Sequence, residues 1–221
     1  MPPDVIAFDV METLCSLASL APLLAAAGGD ATTLDRWFSH LLQDGFAITA
    51  ARSYAAFRDV AKAALTELLP HAKPAQVDKV LAGLGKLDAH PDSAPAMGRA
   101  VLDARVVVIS NTSAATTRKL LARGGLDTFV EAVVSADDVQ AWKPRADAYS
   151  YAAATTDTTS QRLAMVTVHP WDVLGAAKAG LVTGWCNRQG ATFPPAFGHP
   201  DVTGTTLLDV VEGLFALKGT G

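Results

Sequence analysis

The sequence predicts an α/β protein in which a parallel sheet is covered by helices on both faces and a helical region is inserted after the first strand. Three observations carry this. Val5-Ile6-Ala7-Phe8 is a short, wholly apolar run closing at Asp9, the pattern of a strand buried on both faces. A stretch rich in alanine and leucine, from about Leu17 to Leu87, then shows little strand character. After His90-Pro91-Asp92-Ser93-Ala94-Pro95, a linker by composition, apolar runs and helical patterns alternate.

The inserted stretch, punctuated by Gly28-Gly29 and by Pro70 to Pro74, reads as three to four amphipathic helices. One is expected to be capped by Ser53 and to run through Tyr54, Phe57, Ala61 and Leu65. Beyond the linker, Arg105 to Ile109 is a strand, and Ser113 to Arg123 a helix stopped by Gly124-Gly125. Phe129 to Val134 reads as a strand, and a helix starts near Pro144. Leu163 to Val168 is a strand, Trp171 to Ala179 a helix ended by Gly180, and Leu181 to Cys186 a strand. A last helix covers about Leu207 to Leu217.

Size and composition narrow the class. The 221 residues suit one large domain or a core with one insertion, and half of them are hydrophobic. A net charge of −4 gives no electrostatic reason to expect nucleic acid or an anionic membrane as partner. Cys15 and Cys186 have no metal-ligand spacing and read as small buried hydrophobes rather than a disulfide. The N-terminus lacks the basic start and apolar stretch of a signal peptide, and no window is apolar enough to span a bilayer. The expectation is a soluble cytoplasmic protein.

In open α/β sheets, ligands bind beyond the carboxyl ends of the strands. The residues following each apolar run are Asp9; Ser110 and Asn111; Lys143; and Thr167, His169 and Asp172. Together they supply a nucleophile, amide and hydroxyl donors, a cation and a second acid.

These residues carry a resemblance. Asp9-Val10-Met11-Glu12-Thr13-Leu14 resembles the first motif of the haloacid dehalogenase superfamily. Ile109-Ser110-Asn111 resembles its second motif, Trp142-Lys143-Pro144 its third, and His169-Pro170-Trp171-Asp172 its fourth. The resemblance implies a Rossmann-like core of residues 1–14 and 91–221 and a helical cap of type C1 over residues 15–90. Relatives of this kind are often dimers, and the apolar cap helices would permit a homodimer.

Phosphatases of the superfamily carry a second acid two residues after the nucleophile, to protonate a poor alkoxide leaving group, and carboxylates that hold Mg²⁺. Here that position is Met11, which can do neither. A departing halide needs no proton. It needs a carboxylate placed for in-line attack and donors around the anion. The expected activity is therefore metal-free, cofactor-free hydrolysis of a small 2-haloalkanoic acid to a hydroxy acid and halide. A phosphatase acting on a small ester, or a silent binder that kept the pocket, stay open as alternatives.

In this reading Asp9 attacks the carbon bearing the halogen, and water then hydrolyses the resulting ester. Lys143 keeps Asp9 ionised, and Asp172 orients Lys143 or the water. Ser110, with main-chain amides near Val10 and Met11, binds the substrate carboxylate, while Asn111 donates toward the halide. Thr13, Phe38, Phe57 and Trp171 complete the expected substrate contacts. Bland readings stand beside these: a turn cap for Asp9, a plain turn for Ser110-Asn111-Thr112, core packing for the cap aromatics.

The sequence also resembles a subgroup of the L-2-haloacid dehalogenases with an Asp-x-x-Glu-Thr-Leu first motif and a histidine before Trp-Asp. It implies a Glu12–His169 dyad, with Glu12 setting the tautomer and His169 drawing a proton from water. One departure stands out. Phe38 occupies a position where better-known relatives carry a substrate-contacting arginine, with Arg52 a nearby cation. Asp137-Asp138 reads as a solvated turn.

Overall fold

The computed structural model describes residues 1–218, so the last three residues of the expected core lie outside it. The central strand, β1 (Val5–Phe8), is flanked by β4 (Arg105–Ser110) and β6 (Leu163–Thr167). Outside these lie β5 (Ala132–Ser135) on one side and β7 (Val182–Cys186) with β8 (Val202–Gly204) on the other. The order is β5-β4-β1-β6-β7-β8, and every pairing is parallel. In β1 all four side chains are buried, because each face meets apolar material.

Strand side chains alternate between faces, and two apolar clusters result. Val5, Ala7, Val107, Ile109 and Met165 pack with Ala148, Tyr149 and Ala152 of α8 (Ala146–Thr155). Ile6, Phe8, Val106, Val108 and Val166 join a larger cluster that includes α5 (Ser93–Ala100), α10 (Leu207–Phe215) and the inserted helices.

The inserted helices are α1 (Ala21–Ala26), α2 (Thr33–Ala50), α3 (Phe57–Leu68) and α4 (Pro74–Gly83). Along α2, Thr33, Trp37, Leu41, Gly45 and Thr49 are buried at intervals of four, a stripe that faces its neighbours. The excursion leaves and returns through a small antiparallel ribbon, β2 (Cys15–Ser16) with β3 (Asp88–Ala89).

Several elements differ from expectation. Ser53 does not cap α3: the helix starts at Phe57 behind an extended Ala56, and Arg52, at φ 58°, ends the preceding turn. The strand expected at Phe129 begins at Ala132, because Asp127–Phe129 forms a 3₁₀ turn first. Asp137 and Asp138 are not a plain solvated turn. They open a short helix, α7 (Ala136–Val139), where Asp138 accepts from the Ser135 N–H at 2.8 Å and Asp137 accepts from the Tyr54 hydroxyl. Strand β8 was not foreseen, since Val202-Thr203-Gly204 is too short to carry a pattern. Among the described residues no helix is long and apolar enough to cross a membrane.

Candidate active site

The strand ends converge on Asp9. Its N–H donates to Val166 O of β6 at 3.0 Å, and the following turn folds back so that Leu14 and Cys15 donate to Val10 O. Asp9 is buried, with its two oxygens on different partners. Lys143 Nζ donates to Oδ1 at 2.8 Å, and the Thr13 hydroxyl donates to Oδ2 at 2.7 Å. Thr13 Oγ1 also accepts from the Val168 N–H at 3.1 Å, which ties this turn to the end of β6.

Lys143 is fully buried between two carboxylates, its second bond going to Asp172 Oδ2 at 2.6 Å. Tyr149 donates its hydroxyl to Asp172 Oδ1 at 2.6 Å. Burial alone would push the Asp9 carboxyl up, but the charges of Lys143 and His169 and its two hydrogen bonds hold it below the usual range. For Lys143, burial is outweighed by the charges of Asp172 and Asp9, and its pKa rises. Asp172 is pushed up by burial, with repulsion from Asp9 adding to the effect. The group is thus a carboxylate kept anionic by a fixed ammonium whose far side is anchored.

What places Lys143 is its own main chain. Asn111 Oδ1 accepts from the Lys143 N–H at 2.8 Å, and Asn111 Nδ2 donates to the Lys143 carbonyl at 3.3 Å. The neighbouring Trp142 is gripped by the inserted helices. Its N–H donates to Thr49 Oγ1 at 3.3 Å, its indole N–H donates to Ala55 O at 3.0 Å, and its ring stacks on Phe57 at 5.3 Å. At Gly45 a Cβ would meet the indole at 2.3 Å, so only glycine allows this approach. On the opposite side a Cβ at Gly175, in α9 (Pro170–Lys178), would strike Pro144 O at 2.5 Å.

On the other flank of Asp9, His169 Nε2 lies 3.5 Å from Asp9 Oδ2 and 2.9 Å from Met11 O. A carbonyl only accepts, so the resting ring carries its proton on Nε2. Trp171 stacks on His169 with centroids 5.0 Å apart, and Phe38 of α2 approaches the same imidazole at 5.9 Å. Beside this group lies an open cleft of about 420 Å³ that His169 and Phe38 help to line.

The expected Glu12–His169 dyad is not formed. Glu12 sits at φ 60°, and its carboxylate turns back to accept from the Leu17 N–H, with no ion pair or hydrogen bond to His169 among the described residues. Other expected positions fall as follows. Ser110 is buried, its hydroxyl shared with Thr112 at 2.9 Å, and Asn111 spends its amide on Lys143. Phe57 packs on Trp142 at the seam of the cap, and Arg52 is exposed.

Two residues were missed. Tyr149 lies in the middle of a helix, where sequence offers no signal. Arg188 donates to Glu12 O at 3.0 Å, to Thr13 O at 2.9 Å and to Asp92 Oδ1 at 2.7 Å, and so pins the turn behind Asp9. It follows β7 by two residues, and applying the strand-end rule to Leu181–Cys186 would have found it.

The donor set does not suit a divalent cation. Asp9 and Asp172 share one ammonium, Met11 O faces an imidazole, and no group of three candidate ligands gathers among the described residues. The family model described as haloacid dehalogenase-like hydrolase matches residues 3–180. The chain belongs to that family. Among its curated relatives, an (S)-2-haloacid dehalogenase of Burkholderia cepacia is 27% identical over 86% of this chain and 84% of that protein. A haloacetate dehalogenase of Moraxella is 29% identical over 51% of this chain and 50% of its own length. The fold agrees with that of an L-2-haloacid dehalogenase from Xanthobacter autotrophicus with chloropropionic acid covalently bound, at TM-score 0.85, 20% identity and coverage of 95% and 97%. In this haloacid dehalogenase-like hydrolase, the motif residues converge around one buried carboxylate.

Proposed function

We propose that this hydrolase dehalogenates 2-haloalkanoic acids through an ester on Asp9. The observation that carries the reading is the pairing of a buried, anionic Asp9 with Met11, a side chain unable to protonate an alkoxide. The dehalogenase activities of the relatives above support it.

In the first step an Asp9 oxygen attacks the carbon bearing the halogen. A C–O bond forms, and the carbon–halogen bond breaks with its electron pair leaving on the halide. Lys143 holds the carboxylate ionised, while Asp172 and Tyr149 fix Lys143. The N–H groups of Val10 and Met11, which meet no acceptor among the described residues, face the role of carboxylate donors with Ser110. In the second step water attacks the ester carbonyl. The free Nδ1 of His169, without Glu12, takes one proton from that water and returns it to the departing alkoxide as the hydroxy acid leaves, and the proton left on the regenerated Asp9 carboxyl passes to solvent.

Halide release from chloro-, bromo- and fluoro-acids, with and without EDTA and beside Asp9→Asn, tests the reading. EDTA-insensitive release that disappears in the variant is expected. Turnover of a phosphate ester dependent on Mg²⁺, with no halide from any acid, would overturn it.

A further inference from the structure

The turn that follows Asp9 needs support from outside itself. Glu12 sits in it at φ 60°, a left-handed conformation that residues other than glycine seldom adopt. Such a conformation persists only where the surroundings hold it. Inside the turn the Glu12 N–H donates to Cys15 O at 2.7 Å, and its carboxylate accepts from the Leu17 N–H. The carbonyls of Glu12 and Thr13 are both taken by one side chain from the far end of the sheet, Arg188.

Arg188 Nη1 donates to Glu12 O at 3.0 Å and Nη2 to Thr13 O at 2.9 Å, a use of the planar guanidinium fork that an ammonium cannot reproduce. The fork is itself held. Nη2 also donates to Asp92 Oδ1 at 2.7 Å, and Asp92 Oδ2 accepts from the Leu207 N–H at the start of α10 at 2.9 Å. The two side chains are only 21% and 20% exposed, so water and salt screen the pair weakly. Thr13 carries the restraint onward, because its hydroxyl donates to Asp9 Oδ2 at 2.7 Å while its carbonyl is fixed by Arg188. Asp92, Arg188, Thr13 and Asp9 thus form one contiguous hydrogen-bonded chain.

We propose that Arg188, held by Asp92, is a positioning residue for Asp9 that acts through Thr13 to fix the direction in which the carboxylate meets the substrate carbon. The proposal rests on the dehalogenase reading and adds to it a residue that does not touch Asp9. A misplacement of about 1 Å at reacting atoms costs about 10²-fold in rate.

The test is single-turnover release of bromide from 2-bromopropionate with the protein in excess, which gives a rate constant that an inactive fraction does not change. In Arg188→Gln this constant is expected to fall about 10²-fold, with the half-saturating protein concentration changed by less than about threefold. Thr13→Val breaks the same chain nearer Asp9. The double variant is therefore expected to be no more than about threefold slower than Thr13→Val alone, whereas independent effects would multiply. Arg188→Lys keeps the charge without the fork, carries the test if Arg188→Gln does not fold, and is expected to lose at least about tenfold. Constants within about threefold of wild type in the Arg188 variants, or losses that multiply in the double variant, would overturn the positioning role and leave the dehalogenase reading intact. No bromide from the wild-type protein would overturn both.

Discussion

Asp9 is flanked by two regions of opposite character. On one side, Lys143 and Asp172 are fully buried, and every contact between them is a short charged hydrogen bond. On the other, His169 is held by a carbonyl and by aromatic stacking, and it borders a cleft. The buried flank fixes the charge and direction of Asp9, which a low-dielectric site does without reorganisation during reaction. The cleft flank leaves room for water and for a ligand. In the proposed mechanism the two chemical steps divide along the same line, with esterification depending on Lys143 and hydrolysis on His169.

The sharpest way to break this division is to trap the intermediate. Asp9→Asn should abolish halide release, whereas His169→Asn should give a burst of about one halide per enzyme and an ester on Asp9 visible by mass spectrometry. Multiple turnovers by His169→Asn at the wild-type rate would show that hydrolysis does not need the imidazole. Next in size, Lys143→Met should lower kcat by about 10³-fold. With the cation gone and burial remaining, the Asp9 pKa rises, so the acid limb of the rate profile should move to higher pH. An acid limb left in place would detach Lys143 from the nucleophile's ionisation.

Packing tests the buried flank at a distance. Trp142→Ala removes a buried ring that links the inserted helices to Lys143 and should cost about 3–5 kcal/mol in chemical denaturation. Gly45→Ala drives a methyl into the same indole and should cost about 1–3 kcal/mol. If both proteins keep wild-type stability, the clamp on Trp142 is not what holds this seam. The smallest effect belongs to Glu12→Gln. Its carboxylate only accepts from a main-chain N–H, so halide turnover should change by less than about threefold, with about 1 kcal/mol or less in stability. A loss of a hundredfold would reinstate the Glu12–His169 dyad.

The alternation of apolar runs and helices announced a parallel sheet, because strands buried on both faces have no reason to alternate. The strand-end rule then placed Asp9, Ser110, Asn111, Lys143, His169 and Asp172 at one edge of that sheet before any contact was known. Those are consequences of periodicity and topology, which a sequence carries directly. What a polar side chain touches once it arrives is another matter. Asn111 turned to the Lys143 backbone, Glu12 to Leu17, and Tyr149 reached Asp172 from inside a helix. These choices rest on backbone angles such as the positive φ of Glu12 and on close approaches such as that at Gly45. Each is set by packing between segments far apart in the chain, and so only the tertiary structure decided them.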